Sequence, residues 1–188
     1  MKVILISGSP RLQGNTMATM EACAREIEAH GVEAEVISLA GKDIRACRAC
    51  AQCVACTGCV VKDDSQPIFE KIAQADGLII GAPVYYGTAR GDVMNFIQRL
   101  GRYSGSHGRF LDGMVGGPVA VARRGGQTAT IQEMLMFCFI CGMIVPGSNY
   151  WNMIVARDPG DAERDEEGIR TATIFAGRVA DLVKKLRG

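Results

Sequence analysis

Short apolar runs alternate along the chain with longer segments in which apolar residues recur at helical spacing. A short run rich in Val, Ile and Leu predicts a strand that is buried on both faces of a parallel sheet. The predicted strands are 2–7, 33–39, 77–81, 118–123 and 143–145. The predicted helices cover about 15–30, 67–74, 93–100, 127–141 and 163–186.

This alternation predicts an α/β fold of three layers, with helices on both faces of a parallel sheet. Five such units fit a doubly wound, flavodoxin-like five-stranded sheet with strand order 2-1-3-4-5, in which ligands bind beyond the carboxyl ends of the strands, next to strand one. We expect one domain over residues 1–188, with a long cysteine-rich loop at about 40–66 and a Gly- and Ser-rich loop at 101–117.

Composition narrows the class of protein. The chain is 48% apolar, and 21 Lys and Arg against 20 Asp and Glu leave a net charge of +1, which argues against nucleic-acid or anionic-membrane binding through bulk electrostatics. The longest apolar stretch, 134–145, is too short to span a membrane. The run at 3–6 is too short for a secretory signal, so we expect a cytoplasmic protein whose cysteines stay reduced.

The turn after the first strand is the first candidate binding site. Ser7, Ser9 and Thr16 supply hydroxyls. Arg11 supplies a guanidinium, and the helix that follows supplies backbone N–H groups and its dipole. Such donors bind a phosphate, although the sequence matches neither the dinucleotide fingerprint nor the Walker A pattern. The alternative is an ordinary strand–helix turn in which Asn15 caps the helix.

This turn resembles the first loop of the NAD(P)H-dependent FMN reductases, a flavodoxin-like family in which it reads G-S-x-R-x-x-x-N/S-T. Gly8 begins the matching stretch here. The resemblance implies that four side chains hold the phosphate of FMN: those of Ser9, Arg11, Asn15 and Thr16.

The loop after the third strand continues the resemblance. The family has P-x-Y-x-G/S at this place, which wraps the flavin ring. The matching residues here are Pro83, Val84, Tyr85, Tyr86 and Gly87. A proline-stiffened turn can present backbone amides to the polar edge of the ring, and a tyrosine offers it an apolar face.

The loop after the fourth strand resembles the R-x-G-G-Q-E loop of the same family. Arg124, Gly125 and Gly126 lie within the matching stretch 123–127, and Thr128 replaces the acidic residue. Paired glycines let the backbone approach a flat ligand closely. We therefore expect FMN to contact this loop as well.

Five of the eight cysteines recur at every third residue of the long loop: Cys47, Cys50, Cys53, Cys56 and Cys59. Thiolates at this spacing can bind different irons of one cubane, and a further cysteine nearby completes the set of four. Spacing alone leaves both Cys56 and Cys59 open as the fourth ligand. A structural zinc site, a thiol–disulfide switch and a loop that no longer holds metal are the alternatives.

The spacing C-x2-C-x2-C-x5-C resembles the compact motif of the iron–sulfur flavoproteins, a branch of the same family that carries a 4Fe-4S cluster. The stretch CVVKDD at 59–64 continues the resemblance. It implies four cluster ligands and leaves Cys56 as an extra thiol. The implied ligands are Cys47, Cys50, Cys53 and Cys59.

Cys138 and Cys141 form a separate C-x-x-C pair inside an apolar helical segment. Redox pairs of this spacing lie at exposed helix starts, so we expect these two thiols, and Cys23 on the first helix, to be buried and structural.

These features predict an FMN-dependent oxidoreductase whose chemistry takes place at flavin N5, with no side chain acting as acid or base. Electrons would pass between a donor, the cluster, FMN and a small-molecule acceptor. The resemblance implies ferredoxin or NAD(P)H as donor, and a homodimer or homotetramer in which the cluster of one subunit lies near the flavin of another.

Two other functions stay open at this point. One is a cluster-free NAD(P)H-dependent FMN or quinone reductase, and the other is a flavodoxin-like electron carrier. Asn95 and Gln98 stand where the family often has Lys and Asp, whereas Arg99 matches it.

Overall fold

The computed structural model describes residues 1–55 and 58–188. In this part of the chain the strands are β1 (Lys2–Ser7), β2 (Glu33–Ser38), β3 (Gly77–Tyr85), β4 (Thr88–Ala89), β5 (Val115–Ala122) and β6 (Met153–Val155). The helices are α1 (Asn15–Ala29), α2 (Ser65–Ile72), α3 (Gly91–Ser106), α4 (Gln127–Ile140), α5 (Asp161–Arg164) and α6 (Glu166–Arg187). A 3-10 turn spans Gln52–Val54.

The sheet has the predicted parallel order. The main strands follow one another as β2-β1-β3-β5-β6, and the short β4 pairs antiparallel with the end of β3. β1 is apolar on both faces because its side chains alternate between two cores. Ile4 and Ile6 join the core formed with α2, α3 and α4, whereas Val3 and Leu5 join the core formed with α1 and α6. The three-layer α/β fold is thereby confirmed.

The end of β1 is packed tightly against its neighbours. Ser7 is in register with Ser38 of β2 and with Gly81 of β3, so β1 and β2 end at the same level, whereas β3 continues four residues further, to Tyr85. The N–H of Gly8 donates to the carbonyl of Gly81 at 2.8 Å. A Cβ on Gly8 would lie 2.2 Å from Cγ2 of Val93, so a larger residue here would force Val93 or the turn to shift.

The predicted position of the fifth strand is wrong. β6 (Met153–Val155) pairs with the second half of β5, and Ile144 contributes only an isolated parallel bridge to Val115 at the start of β5. Both segments lie along the same side of β5, and the chain leaves the sheet between them. The apolar run at 143–145 therefore marks the correct edge of the sheet, but most of the pairing comes from a second run after residues 146–152.

The predicted loop at 101–117 is also wrong in part, because α3 continues to Ser106. Tyr103 is buried and packs its ring 5.4 Å from that of Phe69. A Cβ on Gly101 would lie 3.3 Å from both Cys141 and Phe137 of α4, so the glycine allows α3 and α4 to approach closely. Tertiary packing thus overrides the low helix propensity of this Gly- and Ser-rich segment.

Cys23 and Cys138 are buried, as predicted, whereas Cys141, directly after α4, is only partly buried. Burial raises the pKa of Cys23 and of Cys138 to about 12, and burial also raises the pKa of Cys141. Such thiols are poor nucleophiles at neutral pH. In the part of the chain that the structure describes, no helix has both the length and the apolar character to cross a bilayer.

A charged cluster joins the end of α1 to α6. Nδ1 of His30 lies 2.9 Å from the carboxylate of Asp181, and Nε2 lies 3.2 Å from that of Glu26. Lys184 donates to the backbone carbonyl of His30 at 3.0 Å. The hydrogen bond to Asp181 is the main cause that raises the pKa of His30, and burial opposes it.

We expect His30→Gln to lower the free energy of unfolding by roughly 0.5–1 kcal/mol at acidic pH and by less at alkaline pH. A group whose pKa rises on folding stabilises the fold fully below its unfolded pKa, about 6.5 for histidine, and this contribution disappears as the pH rises through the folded pKa. Urea unfolding at about pH 5.5 and pH 9 measures the difference on either side of that range. Glu28→Gln, at an exposed position of the same helix, is the control, and an equal loss of stability at both pH values would contradict the assignment.

Candidate functional site

A cavity of about 550 Å³ lies beyond the carboxyl ends of the central strands. Its walls come from the turn after β1, the end of β3, the end of β5 and the segment after β6. Of the side chains predicted to bind FMN, the structure places seven around this cavity: Ser9, Arg11, Asn15, Thr16, Pro83, Val84 and Tyr85. The first two candidate loops therefore converge on one space.

The turn after β1 directs polar groups towards this cavity. Ser9 is 5% exposed and Thr16 is 2% exposed, and the hydroxyl of Ser9 accepts a hydrogen bond from the N–H of Arg11 at 3.1 Å. α1 begins behind Gly14 without a side-chain cap, so its first N–H groups have no partner from a capping residue. Buried hydroxyls, an arginine and an uncapped helix start together favour a bound anion.

The prediction that Asn15 caps α1 is wrong, because Gly14 occupies that position. The side chain of Asn15 reaches across to the segment after β6: Nδ2 donates to the carbonyl of Asp158 at 2.9 Å, and Oδ1 accepts from the N–H of Ala162 at 3.2 Å. Asn15 thus fixes one wall of the cavity, and one of its two amide hydrogens remains for a ligand.

The end of β3 forms a tight hairpin with β4. Tyr85 pairs with Thr88, and the two residues between them, Tyr86 and Gly87, have φ values of +51° and +86°. Two left-handed residues in succession are typical of a type I′ turn, which is unfavourable for a tyrosine. Tyr86 is fully exposed, whereas Tyr85 is 44% exposed and lines the cavity.

The third candidate loop touches this hairpin. Gly126 has a φ of +94°, and a Cβ on it would lie 2.9 Å from Cγ1 of Val84 and 3.1 Å from Cα of Gly87. Glu133 of α4 also holds the hairpin by accepting a hydrogen bond from the N–H of Ala89 at 3.2 Å. The predicted residues that do not line the cavity itself, but lie in these two loops next to it, are Tyr86, Gly87, Arg124, Gly125 and Gly126.

Sequence reasoning missed part of the cavity wall. Arg123 lines the cavity rather than Arg124, and Arg157 and Asp158 line it from the segment after β6. The latter two were missed because the fifth strand was placed at 143–145, far before them in the chain. The apolar run at 153–155, followed directly by Arg, Asp, Pro and Gly within 156–160, was the available signal of a strand that ends in a loop.

A second cavity, of about 250 Å³, lies between the cysteine-rich loop and α3. The structure brings four of the predicted ligands to its wall: Cys47, Cys50, Cys53 and Cys59. Cys56 falls outside the described residues. Ala49 and Ala51, on either side of Cys50, have φ values of +52° and +57°, a left-handed conformation that turns the loop sharply at this cysteine.

Arg99 of α3 holds the two ends of the cysteine-rich loop. The residue is 2% exposed, and its guanidinium donates to the carbonyl of Arg45 at 3.0 Å and to that of Val61 at 3.5 Å. It also forms an ion pair with the fully buried side chain of Asp63. Asn95, one turn earlier on α3, donates at 3.2 Å to another backbone carbonyl at the start of the loop.

The same guanidinium reaches a cysteine sulfur. Nη2 of Arg99 lies 3.3 Å from Sγ of Cys59. Burial raises the pKa of Asp63, but hydrogen bonds from Arg99 and from two backbone N–H groups outweigh it, so the net pKa is lowered and the carboxylate stays charged. A buried cation with a charged partner is therefore built into the cysteine-lined cavity.

The donor set of this cavity fits an iron–sulfur cluster. It contains four thiols, and no carboxylate or imidazole lines it among the described residues. Across 1–55 and 58–188, no three Cys, His, Asp or Glu side chains are grouped closely enough to hold one metal ion. In a four-iron cubane each thiolate binds a different iron, so the four cysteine sulfurs lie further apart than the ligands of a single metal ion. Nε of Arg99 is buried without a hydrogen-bond partner in the described residues, and a sulfide of such a cluster is an acceptor.

Comparison with known proteins now defines the class. Residues 1–158 match the model of the NADPH-dependent FMN reductase family. The chain belongs to this family, and it is a flavin-dependent oxidoreductase with a flavodoxin-like fold.

Its relatives include proteins with more specific names. An iron-sulfur flavoprotein of Methanocaldococcus jannaschii is 39% identical over the full length of both chains. An iron-sulfur flavoprotein of Methanosarcina thermophila is 32% identical over all of this chain and 97% of its own. Among solved structures, the WrbA-like flavodoxin from Agrobacterium tumefaciens has a TM-score of 0.71 at 17% identity, covering 98% of each chain.

We expect Gly126→Ala to lower the free energy of unfolding by about 1–3 kcal/mol and to weaken FMN binding, because the added Cβ is strained at positive φ and meets the hairpin that carries Tyr85. Gly125→Ala is the matched control, since a Cβ there meets nothing within 4 Å. Thermal unfolding and flavin fluorescence titration measure the two effects. Similar behaviour of the two variants would show that the contact between the loops is unimportant.

Proposed function

We propose that this chain is an iron–sulfur flavoprotein that binds FMN in the larger cavity and a 4Fe-4S cluster in the cysteine-lined cavity. The observation that carries the proposal is the presence of these two cavities, one with hydroxyls and arginines around a helix start and the other with four cysteines. No described residue lines both. The names of the relatives that match along their full length support the same function.

In the proposal, the phosphate of FMN lies at the start of α1. Ser9 and Thr16 donate their hydroxyl hydrogens, Arg11 supplies positive charge, and Asn15 offers its remaining amide hydrogen. FMN supplies redox chemistry at N5, where it accepts one or two electrons. The hairpin at 83–87 and the loop at 124–126 bound the ring, and Tyr85 gives it an apolar wall.

The proposed cluster ligands are Cys47, Cys50, Cys53 and Cys59. A cluster of this type supplies single-electron transfer, so a protein that bound it together with FMN could convert between one-electron and two-electron chemistry. The cysteine-rich loop holds the thiols in place through backbone hydrogen bonds to Arg99, while the fold leaves their sulfurs at the wall of the cavity.

We propose ferredoxin or NAD(P)H as the electron donor and a small molecule as the acceptor. The family description names NADPH. We also propose a homodimer or homotetramer, which exposed apolar side chains on α4 support: Met136 and Phe139 are each 60% exposed and Ile140 is 81% exposed. A cytoplasmic location, where thiols remain reduced, fits this function.

Arg11→Gln should weaken the binding of FMN by about tenfold to a hundredfold, because a hydrogen bond to a charged group contributes roughly 1.5–3 kcal/mol. Riboflavin, which lacks the phosphate, serves as the matched control ligand and should bind both proteins equally. Quenching of flavin fluorescence measures the affinities. If Arg11→Gln weakens both ligands to the same degree, or neither, the phosphate does not lie at this turn.

Anaerobic purification should give a brown protein with about four irons per chain. Replacing any one of the four proposed ligands with Ser should remove most of the iron while FMN stays bound, because the two cavities are separate. Cys138→Ser, in the buried part of α4, is the control that should keep the iron.

The same assay decides between the open alternatives. Loss of iron from Cys56→Ser but not from Cys59→Ser would make Cys56 the fourth ligand. A wild-type chain that contains no iron but turns over NAD(P)H would be a cluster-free FMN or quinone reductase. Rapid electron exchange with a protein partner, without turnover of any small acceptor, would indicate an electron carrier.

A further inference from the structure

We propose that Arg99 raises the reduction potential of the cluster through its hydrogen bond to the sulfur of Cys59. This inference rests on the proposed function, since it requires Cys59 to be a cluster ligand. It assigns a positioning and tuning role to a residue of α3 that lies outside the cysteine motif.

The geometry of Arg99 suits this role because the guanidinium is fixed. One terminal nitrogen, Nη1, is held by Asp63, by the carbonyl of Arg45 and by the hydroxyl of Ser65 at 3.1 Å. The other, Nη2, faces the sulfur of Cys59 at 3.3 Å. A side chain that is 2% exposed and held by several acceptors cannot turn away when the charge of the site changes.

The direction of the effect follows from charge. Reduction adds one electron to the cluster and transfers no atom, so the cluster and its thiolates become more negative by one charge. A buried cation and an N–H donor stabilise the more negative state, and hydrogen bonds to ligand sulfurs are a known cause of higher potentials in such centres. Asp63 offsets part of this charge, but it is bound to Nη1, whereas the donor to the sulfur is Nη2.

Arg102 provides a matched comparison. It lies on the same helix and lines the same cavity, so removing it also removes one positive charge there. Arg102 is exposed, however, and none of the hydrogen bonds described for this loop joins it to a sulfur. Water and salt screen an exposed charge far more than a buried one.

The experiment compares wild type, Arg99→Gln, Arg99→Lys and Arg102→Gln as full chains purified without oxygen. Iron and sulfide are counted first. Redox mediators then hold each protein at the midpoint potential of the wild-type cluster, and electron paramagnetic resonance measures the fraction of the cluster that is reduced. We expect the ratio of reduced to oxidised cluster to fall at least tenfold in Arg99→Gln. For a one-electron couple this corresponds to a midpoint potential that is lower by about 59 mV.

Arg99→Lys keeps the positive charge but loses the planar pair of N–H donors, so its ratio of reduced to oxidised cluster should be intermediate. The ratio in Arg102→Gln should stay within about threefold of the wild-type ratio, because an exposed charge is screened. An unchanged ratio in iron-loaded Arg99→Gln, or an equal fall in Arg102→Gln, would overturn the proposal. If Arg99→Gln alone loses iron, the Lys variant decides: a lower ratio supports the role, and an unchanged one overturns it.

Loss of iron from both Arg99 variants would also overturn it, because Arg99 would then only hold the loop in place. A wild-type chain without iron would instead refute the proposed cluster itself. The iron count of the wild type therefore separates failure of the proposed function from failure of this inference.

Discussion

The parallel hydrogen bonding of β1 to β2 on one side and to β3 on the other determines where the functional loops lie. Because Ser7 is in register with Ser38 and Gly81, β1 and β2 end at one edge of the sheet, and β3 continues four residues beyond them, to Tyr85, before its hairpin. The turn after β1 and the hairpin after β3 then face each other across the larger cavity. The loop after β2 starts from the same edge but crosses towards α3, which separates the thiols from the hydroxyls and arginines.

α3 is the element that connects the two cavities. Near its start, Val93 packs against Gly8 beneath the turn after β1, and Arg90 donates to the carbonyl of Gly8 at 3.4 Å. Two turns further on, Arg99 holds the cysteine-rich loop. Since a helix is stiff over this length, its position fixes the spacing of the two cavities. A buried ion pair is costly to break from one side, which makes the pairing of Arg99 with Asp63 a strong constraint on the loop.

Sequence reasoning succeeded where the signal was local. The first strand, its polar turn and the spacing of the cysteines are continuous patterns, and their structural consequences do not depend on distant residues. It failed where two similar local signals competed, as for the runs at 143–145 and 153–155, and where packing against α4 extended α3 past Gly101. The partners of Arg99 lie 34 to 54 residues away in sequence, so no local pattern could indicate them.

The edge of the sheet beside β5 is interrupted, and this affects whether other molecules can add to it. An uninterrupted strand at the margin of a sheet offers a row of unpaired amides and carbonyls on which another molecule can add a strand, which is a route to amyloid-like aggregation. Here the margin consists of a single bridge at Ile144 and the three residues of β6, with a detour between them. The opposite margin, β2, carries Glu33 and Glu35 paired with Lys2. Neither margin is a long, flat, apolar template for the growth of fibrils.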